Sequence, residues 1–257
     1  MITSSSNSQI KNITLLQTKS KARQQQNCYV VEGLKMINEV PNEEILKLYI
    51  AESLFHEGRH KEVLVQNEFE VVADRIFKSM SDTITPQGIL GIIKRKEYTL
   101  NELLKLPGNC FLILEDIQDP GNLGTMIRTA EGAGVAGIIM NKGTVDVYNP
   151  KVIRSTMGSI YRVPFVIVDH LGDAVREMKK SGITAYAAHL QGEYNYYDEN
   201  YDRGTALLIG NEGKGLSDEI AGLADTYIKI PMDGKVESLN ASIAAAILLY
   251  EIKRKKS

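Results

Sequence analysis

Glycines and polar side chains that could bind a ligand are concentrated in segment 119–130, Asp-Pro-Gly-Asn-Leu-Gly-Thr-Met-Ile-Arg-Thr-Ala. Gly121 and Gly124 let the backbone approach another group closely, because glycine has no side chain. Asn122 adds an amide, and Arg128 adds a guanidinium less than two helical turns later. A simple turn requires Pro-Gly and one Asn, but not an Arg that is expected on the buried side of the next helix. This excess of polar chemistry predicts a functional site.

A second glycine-rich segment, residues 210–217, reads Gly-Asn-Glu-Gly-Lys-Gly-Leu-Ser. It is not a Walker A loop, because Gly215 follows Lys214 where that loop needs Ser or Thr. Its glycines also differ in order from a dinucleotide-binding fingerprint, which disfavours an oxidoreductase with a nucleotide cofactor. A glycine-rich turn with Ser217 as the N-cap of a following helix accounts for the spacing equally well. The pattern alone leaves the structural and the functional interpretation open.

A third segment, residues 230–242, reads Ile-Pro-Met-Asp-Gly-Lys-Val-Glu-Ser-Leu-Asn-Ala-Ser. Ser238 is a suitable N-cap for the final helix, which we expect to begin there. Asn240 would then fall in the first turn, where Asn has no strong structural reason to be. The segment therefore adds a second amide to the candidate functional residues.

Alternating strands and helices must position these three segments. The strands predicted for the second half are 111–114, 137–140, 165–168, 184–188, 206–209 and 227–230. Continuous apolar strands separated by helices indicate a parallel sheet that is covered on both faces. Each of the three segments begins where a predicted strand ends. Because ligands bind at the carboxyl ends of parallel strands, we expect one shared pocket.

The first half predicts a small α/β sandwich that precedes this sheet. Its predicted strands are 28–31, 45–51, 70–73 and 89–93, and its predicted helices include 53–65 and 74–80. We expect an N-terminal domain over 1–95, a linker over 96–108 and a second domain over 109–257. The segment 192–203, rich in Tyr, Asn, Asp and Glu, is expected to be an exposed loop.

Composition indicates an ordinary globular protein of 257 residues with a formal net charge of −2. Basic residues cluster at Lys19, Lys21 and Arg23 and again near the C-terminus. Such clusters suit contacts to nucleic-acid phosphates, although each cluster taken alone is more simply explained as solvated surface. Only Cys28 and Cys110 occur, and the start of the chain lacks an apolar signal segment, so a cytoplasmic location is expected. The histidines show no metal-ligand spacing, and no Gly-x-Ser-x-Gly elbow of a hydrolase is present.

The three segments, in this order, closely resemble the signature motifs of the SpoU (TrmH-like) RNA ribose 2′-O-methyltransferases of the SPOUT superfamily. The resemblance covers about residues 109–257. The first half resembles, more weakly, the substrate-binding domain of that family, which is similar to certain ribosomal proteins. Its landmarks are Lys21-x-Arg23, 31–33 (Val-Glu-Gly) and 85–89 (Thr-Pro-Gln-Gly-Ile).

The resemblance implies a fold, a cofactor and a set of site residues. The fold would be a parallel-sheet α/β domain with a deep trefoil knot, and the protein would form a homodimer through it. The methyl donor would be S-adenosylmethionine, without a metal. The donor-binding positions implied are Gly210, Ile230, Met232 and Leu239. The catalytic positions implied are Asn122, Arg128, Glu212, Ser238 and Asn240. The RNA-binding positions expected in the first domain are Lys19, Lys21 and Arg23.

The resemblance implies methylation of a ribose 2′-hydroxyl in structured RNA. Ribosomal RNA of the 23S type is favoured, because the separate N-terminal domain resembles the one in ribosomal-RNA members. A transfer-RNA ribose methyltransferase is one alternative. A catalytically silent RNA-binding or ribosome-assembly factor with the same fold is another.

Overall fold

The computed structural model describes residues 1–58 and 61–256, except for the side chain of Lys61, and divides into two compact units. The first unit combines residues 1–96 with 146–161, and the second combines 97–145 with 162–257. The structure thus differs from the domain boundaries expected above in two respects. It places most of the expected linker in the second unit, and it moves 146–161 into the first.

The first unit is built on a four-stranded mixed sheet in the order β1-β4-β2-β3. The strands are β1 (Cys28–Glu32), β2 (Ile45–Ala51), β3 (Phe69–Val72) and β4 (Ile89–Lys94). The pairs β1–β4 and β2–β4 are antiparallel, whereas β2–β3 is parallel. The four predicted strands are confirmed to within one residue at each end.

Helices of the first unit are mostly short. They are α1 (Ser8–Thr18), α2 (Ser20–Gln26), α3 (Leu34–Asn38), α4 (Glu52–His56), α5 (Lys61–Val65), α6 (Asp74–Met80) and α9 (Pro150–Thr156), with 3-10 turns at Asn42–Glu44 and Ser159–Tyr161. The predicted helix 53–65 includes residues 59 and 60, which lie outside the described residues. Ile13, Leu16 and Phe77 pack with Tyr49 in the core of this unit.

Arg23, expected to contact RNA, is instead part of the interior of the first unit. Its side chain is only 3% exposed. Its guanidinium donates to Asp146 Oδ2 at 2.8 and 2.5 Å and to the carbonyl oxygen of Leu16 at 2.5 Å. A buried cation must be paired, because leaving it unpaired in the interior is costly. This pairing argues against the RNA contact expected for Arg23, whereas Lys19 and Lys21 are exposed.

The second unit contains a seven-stranded sheet in the order β7-β6-β5-β10-β8-β11-β9. The strands are β5 (Cys110–Leu114), β6 (Gly137–Asn141), β7 (Phe165–Val168), β8 (Ile183–Ala188), β9 (Tyr194–Asn195), β10 (Gly204–Ile209) and β11 (Thr226–Lys229). Every neighbouring pair is parallel, which confirms the predicted parallel sheet. The two-residue strand β9 lies in the segment expected to be a loop, because so short a strand leaves no alternating pattern to detect.

The helices of the second unit begin at identifiable caps. They are α7 (Leu100–Leu104), α8 (Pro120–Ala133), α10 (Leu171–Lys180), α11 (Asp218–Ala221) and α12 (Ala241–Lys256). Asp119 caps α8 with Pro120 in its first turn, and Ser217 caps α11, as predicted. Leu103 of α7 is fully buried against the sheet core. The trefoil knot implied by the resemblance stays a prediction.

The final helix begins later than expected, at Ala241. Its N-cap is Asn240 and not Ser238, since the Asn240 side-chain oxygen accepts hydrogen bonds from the backbone N–H of Ser242 at 2.9 Å and of Ile243 at 3.3 Å. Asn240 therefore has a structural role as a helix cap, which the sequence pattern did not indicate. No helix in the part of the chain that the structure describes is long and apolar enough to span a membrane.

Candidate functional site

A cavity of about 450 Å³ opens at the carboxyl ends of β8, β10 and β11 in the second unit. Its apolar walls come from Ile209, Leu216, Ile228, Ile230, Met232, Leu239 and Leu248. The backbone of the glycine-rich segment 210–215 forms another side, and Glu212, Lys214 and Lys229 add charges of both signs. A concave, mostly apolar site with a few polar groups is typical of small-molecule binding.

The four residues expected to bind the methyl donor all line this cavity. Gly210 follows β10, Ile230 and Met232 follow β11, and Leu239 precedes α12. Ser238, expected among the catalytic residues, also lines it and is exposed. Two of the three predicted segments thus meet in one pocket, because their strands lie on either side of β8 in the sheet.

Sequence reasoning missed one wall of the cavity, the loop 188–191 after β8. The ring centroid of His189 in this loop lies 5.2 Å from that of Tyr227, and its Nδ1 accepts a hydrogen bond from the Gln191 backbone N–H at 3.2 Å. The signal was available, since β8 was itself predicted and ligands bind at strand carboxyl ends. Within residues 1–58 and 61–256, no cluster of three or more His, Cys, Asp or Glu side chains could hold a metal ion.

Close backbone packing gives the loop after β10 its shape. A Cβ atom added to Gly210 would lie 2.1 Å from the carbonyl carbon of Gly215 and 2.2 Å from the nitrogen of Leu216. Asn211 pairs with Gly215 through two backbone hydrogen bonds of 3.0 and 2.9 Å. The Asn211 side chain also donates to the carbonyl oxygen of Asp116 at 2.8 Å, which ties this loop to the end of β5.

Glu212 connects the cavity wall to the first predicted segment. Its carboxylate accepts hydrogen bonds from the backbone N–H of Gln118 at 3.0 Å and of Asp119 at 2.9 Å. It also accepts one from the Asn122 side chain at 3.0 Å. The carboxylate therefore holds the N-terminus of α8, where a negative charge is favourable.

Asn122 in turn connects Glu212 to the last helix. Its side-chain oxygen accepts a hydrogen bond from the Asn240 amide at 3.0 Å, while its own amide donates to Glu212. The Asn240 oxygen is already engaged as the cap of α12. Because each group makes bonds at both of its ends, the chain Glu212–Asn122–Asn240 fixes the orientation of both amides.

Hydrogen bonds lower the pKa of Glu212 below its usual value. Partial burial alone would raise this pKa, but the hydrogen bonds from Asn122, Gln118 and Asp119 together outweigh that effect. A carboxyl group whose pKa is lower in the folded than in the unfolded chain stabilises the folded state at pH values above its unfolded pKa. The stabilisation is lost as the pH falls through the lower, folded value.

We expect Glu212→Gln to lower the free energy of unfolding at neutral pH by more than it does in acid. The difference from wild type should vanish below the depressed pKa of Glu212, because both proteins are then uncharged at this position. Urea unfolding of both proteins at about pH 7 and about pH 3 measures this difference in the free energy of unfolding. Glu237→Gln, at an exposed position, serves as the control. A difference of equal size at both pH values would contradict the assignment.

Arg128 does not lie where the sequence placed it. It is exposed on α8, not on the buried side, and it does not line the cavity. Arg128 follows Asn122 by six residues, so its side chain points about a third of a turn away from that of Asn122 around the helix axis. Among the described residues no hydrogen bond or ion pair involves its guanidinium. The chain therefore brings together four of the five expected catalytic residues and leaves Arg128 on the outer face.

Comparison with known proteins agrees with both halves of the chain. Residues 109–250 match the model of the SpoU rRNA Methylase family, and residues 7–91 match the MRM3-like substrate binding domain. The chain is 33% identical to the 23S rRNA (guanosine(2553)-2′-O)-methyltransferase RlmP of Bacillus subtilis (strain 168), and the match covers 98% of each chain.

Two solved structures extend the similarity to the fold. An AdoMet-bound rRNA methyltransferase from Sinorhizobium meliloti superposes with a TM-score of 0.89 at 30% identity, covering 98% of this chain and 97% of that one. The SpoU methyltransferase AviRb from Streptomyces viridochromogenes, in complex with AdoMet, gives 0.85 at 27% identity over 97% and 99% of the two chains. The resemblance seen in the three motifs is confirmed, and this chain belongs to the SpoU rRNA methylase family.

Proposed function

We propose that this protein transfers a methyl group from S-adenosylmethionine to a ribose 2′-hydroxyl of structured RNA, with 23S-type ribosomal RNA as the substrate. One observation carries the proposal. The Glu212–Asn122–Asn240 chain joins all three motif segments at the edge of a single apolar cavity. The protein thus has a donor-sized pocket beside a fixed set of amides, which is the minimum that such a transfer requires.

The cavity fits S-adenosylmethionine in size and in chemistry. Its volume of about 450 Å³ is in the range of pockets that bind ligands of this size. The apolar walls around Ile230 and Leu239 suit an adenine ring, and the glycine backbone at 210–215 permits close approach by a ribose. Glu212, Lys214 and Lys229 suit a ligand end that carries both signs of charge. When bound, this cofactor supplies an electrophilic methyl group.

Arg128 acts on the RNA and not on the donor. A guanidinium is a poor general base, because arginine keeps its proton in proteins. Its guanidinium instead pairs with an RNA phosphate and stabilises the negative charge that develops on the 2′-oxygen. Glu212 already accepts three hydrogen bonds, which favours an orienting role for it over proton abstraction.

A homodimer would bring Arg128 to a complete site. The outward face of α12 carries Ile243, Ile247 and Tyr250, which share one side of the helix. The Tyr250 hydroxyl lies beside Gly132, one turn beyond Arg128 on α8. A second copy packed on this apolar stripe would therefore meet Arg128, and we propose that Arg128 serves the cavity of the partner subunit.

Ribosomal RNA is favoured over transfer RNA because the similarity to the B. subtilis enzyme extends over 98% of both chains and so includes the N-terminal part. That part matches a substrate-binding model. The cytoplasmic location expected from the two cysteines stays a prediction; both are free thiols in the structure.

The proposal is tested by donor binding and by methyl transfer. Calorimetry with S-adenosylmethionine should give a saturable heat, and unmodified 23S rRNA should gain a 2′-O-methyl group that reverse transcription or mass spectrometry locates. Transfer RNA is the comparison substrate. A protein that binds RNA but neither binds nor uses the donor would be the silent assembly factor instead.

Exposed lysines of the first unit are expected to bind RNA through its phosphates. Lys19→Ala combined with Lys21→Ala should weaken rRNA binding and reduce the slope of log affinity against log salt by about 0.7 to 0.9 per lost contact, because fewer counterions are released. Filter binding over a range of salt concentrations measures this slope. Lys180→Ala, also at an exposed lysine, is the matched control. An unchanged slope in the double variant would exclude both lysines from the interface.

A further inference from the structure

The loop between α6 and β4 holds an isoleucine almost entirely in solvent. Ile84 is 96% exposed, and it stands in the segment 81–88, Ser-Asp-Thr-Ile-Thr-Pro-Gln-Gly. Its polar neighbours Thr83 and Thr85 leave it as the apolar tip of a polar loop. A scattered surface apolar side chain needs no explanation by itself. The exposure of Ile84 matters because hydrogen bonds hold both halves of its loop in place.

One carboxylate fixes the first half of the loop. Glu32, at the end of β1, accepts hydrogen bonds from Ser81 Oγ at 2.5 Å, from the backbone N–H of Asp82 at 3.1 Å and from Thr83 Oγ1 at 2.7 Å. Hydrogen bonds to a charged acceptor are stronger than those between neutral groups. The residues just before Ile84 are therefore held in a defined conformation.

The second half of the loop is fixed as well. Gln87 Oε1 accepts a hydrogen bond from the backbone N–H of Leu34 at 2.9 Å. Gly88 adopts a φ of +81°, which favours glycine, and its carbonyl oxygen accepts a hydrogen bond from Ala51 at 2.8 Å. Hydrogen bonds on both sides of Ile84 therefore hold the loop in the conformation that exposes it.

Cations border the loop on two sides. Arg154 of α9 donates to Asp82 at 2.6 Å, and Lys151 lies one turn earlier on the same helix. On the other side, Lys35 follows Leu34, the partner of Gln87, and is exposed. An apolar tip between cations matches RNA, where phosphates surround unstacked bases, better than it matches an apolar protein surface.

We propose that Ile84 is a contact for an unstacked RNA base, packed against the base face while the exposed Lys35 and Lys151 bind the adjacent phosphates. This inference rests on the proposed action on ribosomal RNA and names a surface through which the first unit would recognise it. Apolar side chains that contact or enter base stacks are an established mode of nucleic-acid binding.

Binding of unmodified 23S rRNA to the full-length protein tests the proposal. Ile84→Ala should weaken binding by about 3- to 10-fold, because apolar area is lost from the contact. The salt slope should stay as in wild type, since no phosphate contact is removed. Ile84→Tyr should bind at least as tightly as wild type, because an aromatic ring stacks well on any base. Chemical probing should show one base that wild type protects and Ile84→Ala leaves reactive.

Val65→Ala is the matched control, because Val65 is an 83% exposed apolar side chain of the same unit that lies outside this loop. It should bind RNA like wild type. Wild-type affinity in Ile84→Ala, or an equal loss in Val65→Ala, would overturn the proposal. So would a variant that methylates free rRNA normally but ribosomal particles poorly, because Ile84 would then contact a ribosomal protein. Failure of the wild-type protein itself to bind or methylate rRNA would instead refute the proposed function.

Discussion

Arg128→Ala is expected to reduce methyl transfer to rRNA by about 10³-fold while the affinity for S-adenosylmethionine stays unchanged. The loss should be large because the guanidinium would supply the positive charge that pairs with the RNA phosphate and stabilises the developing alkoxide. Donor affinity should survive because the apolar walls and the glycine-rich backbone of the cavity, to which Arg128 does not belong, would hold the donor. Single-turnover transfer with saturating donor measures the first effect, and calorimetry measures the second.

Two variants separate this role from a general effect of charge. Arg128→Lys keeps the charge but loses the planar fork that pairs with a phosphate, so it should recover only part of the rate. Arg176→Ala removes another exposed guanidinium of the same unit and should transfer at the wild-type rate. Near-normal transfer by Arg128→Ala, or a loss of donor affinity that accounts for its defect, would contradict the role assigned to Arg128.

Mixed dimers test whether Arg128 serves the partner subunit. Arg128→Ala and Glu212→Ala should each be inactive alone. If the site combines Arg128 of one subunit with Glu212 of the other, a hybrid dimer has one intact site. Random mixing should then restore about a quarter of the wild-type activity. If both residues act within one subunit, every site in the mixture lacks one of them, and no activity returns.

Gly210→Ala is expected to weaken donor binding by about 100-fold and to abolish transfer at ordinary donor concentrations. The new Cβ atom would lie 2.1 Å from the carbonyl carbon of Gly215, and only a shift of backbone can relieve that contact. The shifted loop would enter the cavity that Gly210 lines. RNA affinity should persist, because the first unit is unaffected, and a cooperative urea unfolding transition like that of wild type checks that the variant is folded.

Gly213→Ala is the matched control for this effect. Gly213 belongs to the same loop and also lines the cavity, but its added Cβ would meet only the Asn211 side-chain oxygen at 3.6 Å, an ordinary contact. It should bind the donor with near-normal affinity. Equal losses of donor affinity in the two variants would mean that any side chain in the loop blocks the site. Wild-type donor affinity in both variants would mean that the loop backbone can shift without disturbing the site.

The strands, the parallel sheet and the family could all be predicted from the sequence alone. Apolar runs such as 111–114 are local patterns that a buried parallel strand requires, so they can be recognised without coordinates. The resemblance to the SpoU motifs implied donor positions at Gly210 and Ile230, and the strand pattern predicted that both would lie at the edge where parallel sheets bind ligands. The N-cap at Ser217 also depends only on neighbouring residues.

The folded structure was needed to show which polar groups meet and which already have partners. Asn240 has a structural role because its oxygen caps α12, while its amide reaches Asn122, 118 residues earlier in the chain. Arg23 is unavailable to RNA because it pairs with the distant Asp146. The exposure of Arg128 likewise depends on the angle at which α8 packs. Such pairings and exposures arise from long-range packing, which local sequence patterns do not encode.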